Sequence, residues 1–134
     1  MKTLTEHTYK PTMDDLAKAT ADLEEALASV PPKEQMTMMV AADEIFANIV
    51  RYSKANDWTL LVEETDEPGI RIVLTDDGVP FDPLAARDPD TQLAAEDRPI
   101  GGMGILIVKK TMSPVTYERK AGRNILSMGL KIGG

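Results

Sequence analysis

From Thr3 to Tyr9 polar and apolar residues alternate, the period of a strand with one covered face, and the stretch reads as an edge strand. Pro11 and Thr12 end it. Thr12 stands where a helix cap is wanted, with Asp14 and Asp15 in the turn that follows. Met13, Leu16, Thr20, Leu23, Leu27 and Val30 then recur at alternating spacings of 3 and 4. That spacing predicts one amphipathic helix with Lys18, Asp22 and Glu25 outward, stopped by Pro31 and Pro32. A second helix is expected from about Lys33 to Ser53. Met36, Met39, Val40, Ala42, Ile45, Phe46, Ile49 and Val50 cover most of its circumference, which puts it inside a domain.

Trp58 to Glu64 and Ile70 to Thr75 are rich in strand formers, and Asp66-Glu67-Pro68-Gly69 supplies the turn of an antiparallel hairpin. Asp82 to Pro99 is polar, holds three prolines and has little periodicity; a connection of that length is usually a functional lid or disordered. A helix from Met103 to about Met112 follows. Val115 to Arg119 and Ile125 to Ile132 close the chain as a second hairpin, turned by Ala121-Gly122-Arg123. The order β-α-α-β-β-lid-α-β-β predicts the α+β class: a two-layer α/β sandwich with a mostly antiparallel sheet covered by three helices. Nothing in the 134 residues marks an internal repeat or a boundary, so one domain is expected over 1–134.

Composition narrows function more than fold. A net charge of -7 and a pI near 4.7 oppose nucleic-acid binding, which needs a basic footprint. They equally oppose docking on an anionic membrane. No apolar run approaches the roughly 20 residues that span a bilayer, and the amino terminus lacks a signal peptide's apolar core. A cytoplasmic location is the expectation. Without cysteine there is no disulfide, thiolate nucleophile or zinc-thiolate site. The one histidine, His7, sits alone in the first strand and reads as structurally neutral.

Three segments carry candidate chemistry. Glu44 and Asn48 are four apart on the second helix and share one side of it. On a buried helix such groups need partners. They either cap a loop or form a core hydrogen bond, or they serve a ligand: Asn48 as an oxygen donor to magnesium, Glu44 as a general base. Arg51, three residues beyond Asn48, reads as a phosphate contact or a solvated rim charge. Asp76 ends an apolar strand, where its carboxylate can accept from an exocyclic amino group and favour adenine over guanine; Gly78 permits tight turning and close approach of a ring. An ordinary Asp-Asp-Gly turn is the plain alternative. Pro80 and Phe81 lead into the lid, with Phe81 expected to pack beneath it. Gly101, Gly102 and Gly104 open the third helix, where backbone N–H groups can converge on an anion; simple helix entry explains them as well. They fit neither a Walker loop nor a Rossmann fingerprint.

In combination these segments resemble a known superfamily. Ala41-Ala42-Asp43-Glu44-Ile45-Phe46-Ala47-Asn48-Ile49-Val50-Arg51-Tyr52 resembles the N box of the GHKL, or histidine kinase-like, ATP-binding proteins. Asp76-Asp77-Gly78-Val79-Pro80-Phe81-Asp82-Pro83 resembles the G1 box, and Arg98-Pro99-Ile100-Gly101-Gly102-Met103-Gly104-Ile105 the G2 box. Pro80 stands where sensor histidine kinases usually carry a second glycine, and Phe81-Asp82-Pro83 is similar to the anti-sigma-factor serine/threonine kinases of bacterial partner-switching systems. The resemblance implies the Bergerat-type fold, with ATP and magnesium as ligands. It implies Glu44 as catalytic base and Asn48 as metal ligand. Asp76 would contact adenine, and Gly102 and Gly104 would belong to a phosphate loop. It places Arg51, Gly78, Phe81, Gly101, Met103, Ile105 and Asn124 around the nucleotide. Tyr52, where many members carry histidine, and Asn124, where threonine or serine is common, depart from the pattern.

The implied activity is an ATP-dependent protein serine/threonine kinase. It would act as an anti-sigma factor or similar regulator and phosphorylate a STAS-domain antagonist. A nucleotide-binding partner switch without useful kinase activity is the alternative, and a plain ATPase the third. A sigma factor as second partner and a homodimer are further implications of the resemblance.

Overall fold

Along the two central strands every second residue is apolar, and that parity decides which face of the sheet is covered. The computed structural model describes residues 2–82 and 102–132, with the backbone alone for 102–105. In chain order it contains β1 (Lys2–Tyr9), α1 (Met13–Ala26), α2 (Pro32–Tyr52), β2 (Trp58–Glu64), β3 (Gly69–Asp76), α3 (Gly102–Thr111), β4 (Val115–Lys120) and β5 (Arg123–Lys131). The five strands form one sheet in the order β1-β2-β3-β5-β4. Every neighbouring pair is antiparallel. The expected two-layer sandwich, with β1 at an edge, is therefore the architecture.

Trp58, Leu60 and Val62 of β2, Ile70, Ile72 and Leu74 of β3, and Leu126 and Met128 of β5 are buried on the helix side. Against them lie Ala19 and Leu23 of α1, Met38, Ala41, Ala42, Ile45, Phe46 and Ile49 of α2, and Val108 of α3. Trp58 stitches three elements together. Its ring stacks obliquely on Tyr9 at 4.8 Å and on Phe46 at 5.1 Å, and its Nε1 donates to the Lys10 carbonyl at 2.9 Å. Each such aromatic pair adds about 1 kcal/mol beyond the area it buries. The Tyr9 hydroxyl donates to Asp22 at 2.6 Å; burial first, then that bond, pushes the phenol above its ordinary range.

The helix ends follow local chemistry. Thr12 caps α1, accepting from the Asp15 N–H at 3.2 Å. The helix stops at Ala26 rather than running on through Val30. Pro31 disfavours helical backbone in the residue before it, and the chain tightens into i,i+3 bonds from Ala28 to Glu25 and from Val30 to Leu27. Leu27 and Val30 remain buried from this turn, whereas Met13, counted in the same stripe, is 61% exposed. α2 is also less enclosed than its composition suggests. Met36 and Val40 are 70% and 46% exposed, so the first half of α2 keeps an open outer side, while Met38 faces the core. In the closing hairpin Ala121 and Gly122 both take positive φ, 53° and 76°, as a two-residue turn between twisted strands requires.

Among the described residues no helix is long and apolar enough to cross a membrane.

Candidate functional site

Two carbonyl-end features meet at one end of the sheet. α2 finishes there at Tyr52, capped by Ser53, and β3 finishes at Asp76 before the turn through Gly78. The Val79 N–H donates to the Ser53 carbonyl at 2.8 Å, which locks the turn to the helix end. Gly78 is needed for this contact. A Cβ there would lie 2.2 Å from the Ser53 carbonyl oxygen, so the crowding comes from the helix rather than from the pocket side. Asp77 braces the same junction from outside. Its carboxylate accepts from the backbone N–H groups of Asp57 at 3.2 Å and Asn56 at 2.7 Å, and from the Asn56 side chain at 3.2 Å. These donors hold its carboxyl below the usual carboxylate range.

Between α2, β3 and β5 opens a pocket of about 560 Å3, counting its open mouth. Ile45, Ile49, Leu74 and Leu126 form apolar walls; Tyr52, Val79 and Phe81 stand at the rim, exposed by 43%, 46% and 49%. Asn48, Asp76 and Asn124 bring the polar groups.

Asp76 is 6% exposed. Its Oδ1 accepts from the Gly78 N–H at 2.8 Å and from Asn124 Nδ2 at 3.1 Å. No described group donates to its Oδ2. Asn124 is used to capacity. Besides Asp76, its Nδ2 donates to the Val79 carbonyl at 2.8 Å, while its Oδ1 accepts from the Tyr117 hydroxyl at 2.5 Å and the Phe81 N–H at 3.3 Å. Arg119 adds a strap on the same turn, donating to the Gly78 carbonyl at 2.8 Å. Asn48 is the opposite case: its Nδ2 is buried with no partner among the described residues. Leaving such an amide unpaired costs about 1–3 kcal/mol. Its nitrogen and oxygen exchange places by a half-turn of the last side-chain bond, so either can be presented to a ligand.

The structure brings Asn48, Asp76, Phe81 and Asn124 around this pocket, with Gly78 in the turn at its edge. Glu44 lies one turn before Asn48 on α2, half-buried, just outside the lining residues and with no described partner for its carboxylate. Arg51 is exposed and does not line the pocket. The backbone of Gly102, Met103, Gly104 and Ile105 forms the first turn of α3. Gly101 and the lid expected over 82–99, apart from Asp82, lie outside the described residues. Tyr117 was not singled out in the sequence. Its cue was register: it pairs with Leu126, whose neighbour two positions back is Asn124. Among the described residues no three His, Cys, Asp or Glu side chains gather into a metal cluster.

A five-stranded antiparallel sheet under three helices, with a largely apolar pocket carrying a few polar groups where β3, β5 and the end of α2 meet, is the architecture of GHKL-type ATP-binding domains. Residues 9–130 match the histidine kinase-like ATPase domain, and the chain belongs to that family. It is similar to the serine/threonine-protein kinase BtrW of Bordetella bronchiseptica, 27% identical over 97 residues that make up 70% of this chain and 68% of that protein. Its fold is similar to a crystal structure of the RsbU and RsbW domains of a Mycobacterium tuberculosis protein, with a TM-score of 0.67 at 14% identity. That match covers 96% of this chain and 32% of the other, so the present chain spans about a third of the solved one.

Proposed function

We propose that this chain is an ATP- and magnesium-dependent protein serine/threonine kinase of the anti-sigma-factor type, and that its substrate is a STAS-domain antagonist protein. The observation that carries the reading is the pairing on α2 of a buried, unpartnered Asn48 amide with an unpaired Glu44 carboxylate one turn away. A buried amide nitrogen is costly unless something from outside completes it, and Glu44 beside it is half-buried. The similarity to a protein named as a serine/threonine kinase supports the same reading.

In this account Asp76 Oδ2 accepts from the adenine amino group, and the apolar walls take the ring. Asn48 would hold magnesium through its carboxamide oxygen, the remaining ligands being phosphate oxygens and water. The ion would supply neutralisation of charge on the transferred phosphoryl group. The backbone N–H groups at the start of α3, with Gly102 and Gly104, suit the phosphates. Glu44 takes the proton of the acceptor hydroxyl as its oxygen bonds to the γ-phosphorus and the bond from that phosphorus to the β–γ bridging oxygen breaks, releasing ADP. The phosphorylated antagonist gains about two negative charges near neutral pH. Repulsion from a chain of net charge -7 then favours its release. A sigma factor or similar regulator is the second partner in this scheme.

The test is binding and transfer measured side by side. Asn48→Ala should weaken magnesium-dependent ATP affinity, Asp76→Ala should erode the preference for ATP over GTP, and Glu44→Ala should keep binding but lose transfer to a STAS-domain acceptor. Unchanged binding in both of the first two variants would retire the site. Nucleotide binding by the unaltered chain without any transfer favours a switch that sequesters its partner without kinase activity.

A further inference from the structure

Asn124 faces the pocket, yet all four of its hydrogen-bonding positions are already engaged. It has nothing left to offer a ligand. What it does instead is fix Asp76. The carboxylate receives both of its described donors on Oδ1, from Gly78 and Asn124, which leaves Oδ2 as the oxygen free toward the pocket. The amide of Asn124 cannot turn over without setting its nitrogen against the Phe81 N–H and its oxygen against Asp76 and the Val79 carbonyl. The Tyr117 hydroxyl, on the neighbouring strand β4, donates to the Oδ1 so oriented.

We infer that Asn124, keyed by Tyr117, is a positioning residue that selects which carboxylate oxygen of Asp76 reads the base, and that it makes no hydrogen bond to the nucleotide itself. The inference rests on the nucleotide reading above and adds to it a job for the β4–β5 hairpin. Asn124, and Arg119 opposite it in the register, grip the turn from Asp76 to Phe81, and Tyr117 bonds Asn124 in turn. The acceptor for the base is thereby built before any ligand arrives.

The experiment compares affinity for ATP with affinity for purine riboside triphosphate, which lacks the 6-amino group, on the same protein sample. Because the ratio is read, any loss of folded protein cancels. A hydrogen bond to a charged acceptor should give the unaltered chain a preference of roughly ten- to a hundredfold for ATP. Asn124→Ala removes the donor to Asp76 Oδ1 and the acceptor that Tyr117 and Phe81 use, so that of the two described donors only the Gly78 N–H still holds the carboxylate. Its preference should fall to within about threefold of none. Tyr117→Phe, a milder change, should lower the preference by roughly threefold, the scale of one modest hydrogen bond. A full preference retained in Asn124→Ala overturns the inference while leaving the nucleotide site intact. No preference in the unaltered chain overturns the base contact of Asp76, and this inference with it.

Discussion

The two sides of the pocket are finished to different degrees. On the β3–β5 side, Asp76, Asn124, Tyr117 and the backbone of Gly78, Val79 and Phe81 are joined in one hydrogen-bond network that leaves Asp76 Oδ2 without a described donor. On the α2 side, Asn48 has a buried nitrogen without a described partner, and Glu44 stands unpaired beside it. A protein core does not leave polar groups in the second state without a return elsewhere. The first side is a mould; the second is a set of groups whose partners come with the ligand and its acceptor. In the proposed reading the mould takes the base, Asn48 the magnesium ion and Glu44 the proton of the acceptor.

That contrast can be broken most severely at Glu44. Glu44→Gln removes a proton acceptor and little else, so phosphate transfer should fall by roughly a hundred- to ten-thousandfold while ATP affinity changes little. Transfer kinetics beside a binding isotherm will check it, and equal losses in both would place Glu44 among the structural residues. The next effect is on stability. Gly78→Ala forces a methyl against the Ser53 carbonyl and should cost about 1–3 kcal/mol, read from denaturant unfolding.

The sharpest form of the contrast is a pair of variants with opposite signs. Asn124→Ala strands the Tyr117 hydroxyl, the Phe81 N–H and the Val79 carbonyl, and should destabilise by about 2 kcal/mol. Asn48→Leu replaces an unsatisfied amide with a side chain of similar size, and should stabilise the ligand-free protein by about 1 kcal/mol. Thermal unfolding of the two variants checks this. A loss at Asn48 as large as at Asn124 would mean that both sides are equally complete.

Asp77 gives the smallest expected change. Its folded pKa is depressed below the ordinary 3.8, chiefly by the Asp57 and Asn56 N–H groups. Its contribution is therefore present above that value and fades as pH falls through the folded pKa. Asp77→Asn should flatten the loss of thermal stability below about pH 4, and an acid limb as steep as the unaltered chain's would exclude the brace.

Most of the architecture was legible because strand parity and helix period are local. The hairpins, the edge strand and the three helices follow from spacing, as does the apolar stripe from Ala42 to Ile49. The end of α1 was misjudged because Leu27 and Val30 keep helical spacing while lying in a turn. Burial alone does not report backbone bonding. The exposure of Met36 and Val40 depends on where α3 packs, which no local pattern reveals. Asn48 and Asp76, which the structure brings to one pocket, were picked out by chemical type and context. Tyr117 was missed because its role exists only through strand register, and Gly78 was assigned to ring approach when the crowding partner is Ser53. Asn124 was read as a ligand contact, and its saturation by four neighbours appears only in three dimensions.

The unsatisfied amide of Asn48 is the feature on which the functional account turns, and it can be watched directly. Magnesium and ATP titrated into protein labelled with nitrogen-15 should move the side-chain amide signals of Asn48 strongly and saturably. Those of Asn124, already bonded on both sides, should move far less. Still signals from Asn48 under saturating nucleotide, or a response confined to residues away from the pocket, would contradict the account.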